Sequence, residues 1–458
     1  MLAQETARLP LLSDIHGTAT PELVARAPFG PGDQDWAEAD AHPISPPDLR
    51  WDPLLVAVAA YLLIAVGRVH QLFSALEVIH PATLAGLLAI VLYATDRQAH
   101  RRLHAVAGPT KYIGAFFVWM VVSTPGALVL GTSVDVVFGN FLKTGLMYLV
   151  IVGAIRGPRD AERLAMVYLI AATLYAVVVI SRFDLGSGDA WRLGHLYYYD
   201  ANDFATFVVT ALPFGLYFLH AGRRMPARLF ACLALGVLAL AFVRTGSRGG
   251  FIALVAVAGF IVLKYTAIAL RWRIGATALV AVVVIGAASD QYWKQMGTIL
   301  SDADYNRTDE SGRMHIWRRG IGYMLGNPVF GVGPGNFQAA EGMLSPLADR
   351  QNFNVGVRWN AAHNSYIQVG AELGIPGLLI FVAMIASTFG ALRQLNRRLA
   401  DDDDEGENNT RALTNALMAS LVGFVVGAYF LSLVYTELFY TLVALSVGLQ
   451  KVAGEESW

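Results

Sequence analysis

Twelve apolar runs, each near the length of a bilayer core, recur along the 458 residues of this chain. They fall near 53–69, 79–95, 112–130, 137–155, 163–181, 204–220, 228–244, 249–265, 274–289, 364–392, 411–434 and 437–452. A hydrocarbon core is crossed by roughly 17–25 apolar residues in one helix. Lipid offers no partner to backbone N–H and C=O groups, so such runs must close their hydrogen bonds internally as helices. Composition agrees, since 55% of the residues are hydrophobic and only 15% charged. A soluble globule carries roughly 25% charged residues to coat its surface. The expected fold is therefore all-α: a polytopic integral membrane protein of about twelve transmembrane helices, with a large loop between helices 9 and 10. The tenth run is expected to break at Gly374-Ile375-Pro376-Gly377.

Loop charges set the orientation. One alternating set of loops carries Arg97, Arg101, Arg102 and Lys111, then Arg156, Arg159 and Arg163, then Arg223, Arg224 and Arg228. The same set continues with Lys264, Arg271 and Arg273, and with Arg393, Arg397, Arg398 and Arg411. The opposite short loops near 70–78 and 131–136 contain no Lys or Arg. The positive-inside rule puts the basic set in the cytoplasm. Both termini and the acidic run 401–405 follow it there. The chain then divides into four parts. Residues 1–50 form a polar, Pro-rich cytoplasmic tail without the apolar stretch of a signal peptide. Residues 51–289 hold helices 1–9, residues 290–362 form the large outer loop, and 363–458 hold helices 10–12 with a short cytoplasmic tail. No inverted repeat of the transporter kind is visible. The single cysteine, Cys232, lies in an apolar run, which excludes a disulfide framework and a cysteine-based metal site.

On this topology the loop 182–203, the turn 244–250 and the loop 290–362 share the outer side. Arg244 and Arg248 flank the Gly-rich turn TGSRGG. A guanidinium offers a planar fork to phosphate, and a helix starting at this turn offers N–H groups to an anion. Lipid headgroups would satisfy the same arginines, the more natural reading for Arg244. Arg313 lies four residues before Trp317, on one helix face, whereas Arg318 and Arg319 point elsewhere, toward acidic loop residues or headgroups. Asn360 is a candidate N-cap that would place His363 in the first turn of helix 10. The positive helix end disfavours imidazolium there, so a neutral imidazole able to accept a proton is expected. Asn364, Gln368 and Glu372 follow at spacings of four and form a polar stripe on an apolar helix. Lys143, inside the fourth run, is either a buried functional cation or one that snorkels or pairs with Asp135 or Glu437. Asn202 and Asp203 read as a helix cap. Trp191 and the tyrosines 197–199 read first as interfacial aromatics, with stacking on sugar as the alternative.

The order TGSRGG, GRMHIWRRG, NPVFGVGPGNF and HNSYIQVGAELGIPG resembles the O-antigen ligase family, over about residues 244–377. That family groups lipopolysaccharide O-antigen ligases, Wzy-type polymerases and protein O-oligosaccharyltransferases. The resemblance implies glycosyl transfer at the periplasmic face of the bacterial inner membrane, which makes 290–362 a periplasmic loop. The implied donor is an undecaprenyl-diphosphate-linked glycan. The acceptor is a hydroxyl of lipid A-core, of another glycan repeat or of a protein; membrane lipids surround the site and no nucleic acid is involved. Carried over by motif, Arg248 and Arg313 would hold the diphosphate and His363 would be the essential residue. Arg244, Lys143, Asn364, Gln368 and Glu372 would support them, with no metal and no cofactor. Transfer to lipid A-core is the leading expectation. A transporter whose arginines bind an anionic headgroup is the alternative from another class.

Overall fold

Ordinary capping chemistry marks where the apolar runs begin to coil. Asp52 accepts from the Leu55 N–H at 2.8 Å, and prolines open the helices at Pro53, Pro81 and Pro158, where a missing N–H costs nothing. The computed structural model describes residues 50–68, 70, 76, 78–96, 108–182, 191–193, 200–221, 225–301, 305–353, 356–400 and 405–455. The tail before residue 50, Arg97, Arg101, Arg102, the tyrosines 197–199, Arg223, Arg224 and the acidic residues 401–404 lie outside them.

The long helices are α1 (Pro53–Val66), α2 (Pro81–Thr95), α3 (Gly108–Ser123), α4 (Leu130–Ala154), α5 (Pro158–Arg182) and α6 (Ala201–Ala221). They continue as α7 (Met225–Thr245), α8 (Arg248–Lys264) and α9 (Leu270–Ala287). Short helices follow, among them α10 (Asp290–Gly297), α11 (Arg313–Gly326) and α12 (Phe337–Met343), before α13 (Ser365–Arg398), α14 (Glu405–Ala428) and α15 (Glu437–Glu455). Each of the twelve expected runs coincides with a long helix, and the segment between the ninth and the tenth holds the short ones. Among the described residues seven helices (α4, α5, α6, α7, α9, α13 and α14) are long and apolar enough to cross a membrane, while α1 and α2 are shorter apolar helices. No strand occurs among the described residues. The protein is thus an all-helical, multi-pass membrane protein.

α6 and α14 form the buried centre, packed on each other and flanked by α7 and α8, while α9 lies at the periphery. Several loop segments expected on one side do sit together. Arg156 pairs with Asp160 at 2.7 Å and with the α1 cap Asp52 at 3.1 Å, joining the start of α1 to the α4–α5 turn. Lys451 near the end of α15 donates to the Val152 carbonyl at 2.9 Å. Tyr265, after α8, donates to the Ala412 carbonyl at 2.5 Å near the start of α14.

One irregularity positions the rest of the site. α13 is broken at Gly374, whose φ of 69° and ψ of −172° leave the helical region. Pro376 has no N–H to return to the Glu372 carbonyl, so the break strands backbone groups in the interior. The loop before α12 takes them up. Val332 donates to the Ala371 carbonyl and Gly333 to the Glu372 carbonyl, each at 2.9 Å, and Ile375 donates to the Pro328 carbonyl at 2.8 Å. The Trp119 indole takes the Leu373 carbonyl at 2.8 Å. The expected break at 374–377 is present, and its partner is the NPVFGVGPGNF segment.

A Cβ on Gly374 would run into the Val329 carbonyl oxygen, in a backbone region open essentially to glycine alone. Gly374→Ala is therefore expected to lower stability by at least about 1–3 kcal/mol. Thermal unfolding of the purified protein in detergent should show a clear drop in midpoint, while Gly275→Ala in α9, where a Cβ meets nothing within 4 Å, should show none.

Candidate active site

Two chain turns bring the arginines together. Ser247 caps α8 by accepting from the Gly250 N–H at 3.1 Å, so Arg248 stands at the first helical position. Gly249 is in close contact with α14's end: a Cβ there would lie 2.7 Å from Cβ of Phe430. Arg313 likewise opens α11, with Trp317 one turn on. Both arginines line a cavity of about 220 Å³ whose other walls include Ile252, Ile299, Trp317, Tyr429 and Phe430. Arg248 donates to Thr298 Oγ1 at 2.7 Å, which ties α8 to the turn after α10. A cationic end beside apolar walls matches a ligand that is anionic at one point and greasy elsewhere.

A smaller polar cleft of about 30 Å³ shares Arg248, Gly249 and Arg313 and adds Arg192, Asn202 and Gln295. Arg192 was not anticipated from the sequence. Its Nε donates to the Thr245 carbonyl at 2.7 Å, at the C-terminal end of α7, and its Nη2 donates to Asn202 Oδ1 at 3.1 Å. Arginine at a helix C-terminus satisfies carbonyls left without partners, so its local job is a cap that also turns a guanidinium toward the cleft.

His363 sits just outside α13 and not in its first turn. Asn364 is the N-cap, accepting from the Tyr366 and Ile367 N–H groups at 3.0 and 3.1 Å, and the candidate cap Asn360 lies in the extended approach. His363 takes a left-handed φ of 47°. Two contacts hold it there: its own N–H donates to Ser432 Oγ at 3.0 Å, and the preceding Ala362 carbonyl accepts from Trp317 Nε1 at 3.0 Å. The same indole lines the arginine cavity, so one side chain joins the cavity wall to the histidine backbone. Partial burial holds the imidazole below its ordinary range; the Arg313 cation adds to that, and Asp200 opposes it. Burial and a neighbouring cation thus favour the neutral imidazole, rather than a place inside the helix.

The remaining candidates separate. Glu372 is buried and accepts from the Gly335 N–H at 2.9 Å, the Phe337 N–H at 3.2 Å and the Tyr435 hydroxyl at 2.6 Å. Gln368 donates at 3.2 Å to the oxygen that also accepts from Phe337. The expected polar stripe thus anchors the loop before α12 and caps α13. Arg244 lines neither space; its carbonyl accepts from the Leu193 N–H at 2.8 Å. Lys143 is exposed on α4, away from both spaces, and Glu437 pairs with Arg68 at 3.6 Å. Asp200 caps α6, accepting from the Asn202 and Asp203 N–H groups at 2.6 and 2.8 Å, in place of the expected Asn202–Asp203 cap. Arg319 meets an acidic loop residue as expected, Glu341 at 2.6 Å. Among the described residues no three His, Cys, Asp or Glu side chains are grouped to hold a metal.

Residues 233–382 match the family model described as O-antigen ligase, Wzy_C. Over that segment the chain is similar to the O-antigen ligase family. No curated protein matches it. The match spans Arg248, Arg313 and His363 but neither Arg192 nor Ser432.

Ser432→Ala would leave a partly buried N–H without its partner, at a cost of about 1–3 kcal/mol at that point. Since the contact is to His363 and not to the cavity, turnover is expected to fall by about tenfold or more with KM little changed. Steady-state kinetics beside the unfolding midpoint would check this.

Proposed function

We propose that the protein is a ligase-type glycosyltransferase of the bacterial inner membrane. It moves a glycan from undecaprenyl diphosphate to a hydroxyl of lipid A-core at the periplasmic face. The observation that carries this reading is the convergence of Arg248 and Arg313, from separate turns, on one part-apolar cavity whose Trp317 wall is bonded to the backbone beside His363.

The chemistry follows from these groups. The acceptor oxygen attacks the anomeric carbon as the bond from that carbon to the diphosphate oxygen breaks, leaving negative charge on the diphosphate. Guanidiniums set in place beforehand stabilise that charge as it develops, the task a divalent cation performs elsewhere. Neutral His363 accepts the proton of the attacking hydroxyl and later releases it to solvent. The segment carrying α10–α12 covers the cavity and excludes water, the competing acceptor. A lipid-tailed donor requires the site to lie at a membrane boundary. The large one-sided segment between α9 and α13 favours this reading over a transporter. Polymerisation and transfer to protein use the same donor chemistry and differ only in the acceptor.

The deciding experiment incubates the purified full-length protein with a defined undecaprenyl-diphosphate glycan and three acceptors: lipid A-core, a lipid-linked repeat and a Ser/Thr peptide. Glycosylated lipid A-core is expected; a longer lipid-linked glycan or a glycopeptide would reassign the acceptor. Movement of intact donor across a vesicle without transfer would sink the enzyme reading. His363→Ala should abolish transfer in a folded protein. Arg248→Lys should bind the donor about tenfold more weakly, since the planar fork is lost. A chelator should leave activity intact. Because the His363 pKa is lowered, its neutral form prevails at neutral pH, and activity should fall as pH drops through a value below about 6.5. A rate that stays level through that range would remove His363 as the base.

A further inference from the structure

α11 has a second, chemically different face. Positions 313, 314 and 317 line the arginine cavity, and helical periodicity sends 315, 318 and 322 to the opposite side. There His315, Arg318, Gly322 and Tyr323 line an open cleft of about 570 Å³, with Leu344, Pro346 and Leu347 as its apolar part.

The charges of this cleft do not cancel. Glu310 is held by Arg350 at 2.8 and 3.1 Å, which keeps its carboxyl below the usual range. Arg319 is held by Glu341 at 2.6 and 2.8 Å, and the Tyr323 hydroxyl donates to the same carboxylate at 2.8 Å. Arg318 is exposed on the same rim with no hydrogen bond or ion pair among the described residues. Once the pairs are set aside, a guanidinium fork faces the cleft.

Gly322 keeps the floor of the cleft open. It lies inside α11, where glycine costs about 1 kcal/mol relative to alanine. A Cβ at this position would meet nothing within 4 Å. The helix surface is therefore open at this position, with room for a ligand ring to approach the backbone.

We propose that this cleft is a binding subsite for an acidic sugar of the glycan substrate, one bearing a carboxylate or phosphate. The acidic group takes the Arg318 fork, the ring lies over Gly322, and its C–H face rests on Leu344, Pro346 and Leu347. The inference rests on the glycosyl-transfer reading above and adds to it a chemical preference. An acidic sugar could arrive on the donor glycan or on a phosphorylated lipid A-core, and the probes separate these sources.

The test is direct binding to the full-length protein in detergent, at millimolar sugar. The probes are a uronic acid disaccharide, a phosphorylated core-type oligosaccharide and a neutral disaccharide. One acidic probe should bind more tightly than the neutral one, and which one names the source. Arg318→Ala should weaken that binding by about tenfold or more. Gly322→Phe should fill the cleft and abolish binding with the unfolding midpoint unchanged. Arg248→Ala, in the other cavity, should leave it intact. Equal binding of acidic and neutral probes, no binding of either acidic probe, or insensitivity to both cleft substitutions would overturn the subsite. So would loss through Arg248→Ala alone, which would place the probe in the arginine cavity. Transfer is measured alongside. Acidic-sugar binding at Arg318 without any glycan transfer would keep the subsite and sink the reaction, whereas transfer with a KM indifferent to Arg318 would do the reverse.

Discussion

Everything around the candidate site depends on a helix that fails to close its own hydrogen bonds. Between Ala371 and Ile375, α13 leaves carbonyls and an N–H without intrahelical partners, because Gly374 leaves the helical region and Pro376 has nothing to donate. Buried backbone groups of this kind cost several kcal/mol each in an apolar setting. The segment 328–337 satisfies them by running alongside the break, and Glu372 then fixes its far end through the Gly335 and Phe337 N–H groups. Asn336 extends the tie to α4, accepting from the Val129 N–H at 3.0 Å and donating to Ser133 Oγ at 2.7 Å. Two sequence motifs some forty residues apart are thus the two halves of one hydrogen-bonded joint. α11, which carries Arg313 and Trp317, packs directly on α13, so the joint also sets the reach of the arginine cavity.

Under the proposed reaction the site would combine two electrostatic demands that usually conflict. Stabilising a diphosphate calls for cations, and a base beside cations loses basicity. Arg248 and Arg313 line the cavity wall, and the Trp317 indole of that wall donates to the Ala362 carbonyl beside His363. Arg313 still acts on the imidazole, and Asp200 partly offsets it.

Much of this was legible from the chain because membrane thickness and backbone chemistry leave little choice. Twelve apolar runs had to be helices, and a Gly-Ile-Pro-Gly step inside one of them had to be a break. Arg248 stood out as a cation at a Gly-rich turn opening a helix, and Arg313 through the motif that the family resemblance rests on. What escaped depended on distant contacts or on helix phase. Arg192 acquires its place only from the Thr245 carbonyl, fifty-three positions later in the chain. Ser432 looks like any turn serine until the His363 N–H is seen to meet it. Asn360 and Asn364 are equally good caps on paper, and the extended approach decides for the second. Lys143 follows a π-helical stretch, Asp135–Phe141, whose wider turns shift the phase of everything after it.

The turn between α14 and α15 carries one more implication. Besides Ser432 on the His363 N–H, the Ser365 hydroxyl donates to the Leu431 carbonyl and accepts from the Leu433 N–H, at 2.7 and 2.9 Å. These residues lie about fifty positions beyond the end of the family-matched segment, residues 233–382. The recognisable domain is therefore not a transplantable module. A chimera that exchanged only that segment between relatives would inherit the histidine without its clamp, so the natural unit of exchange runs through the α14–α15 turn.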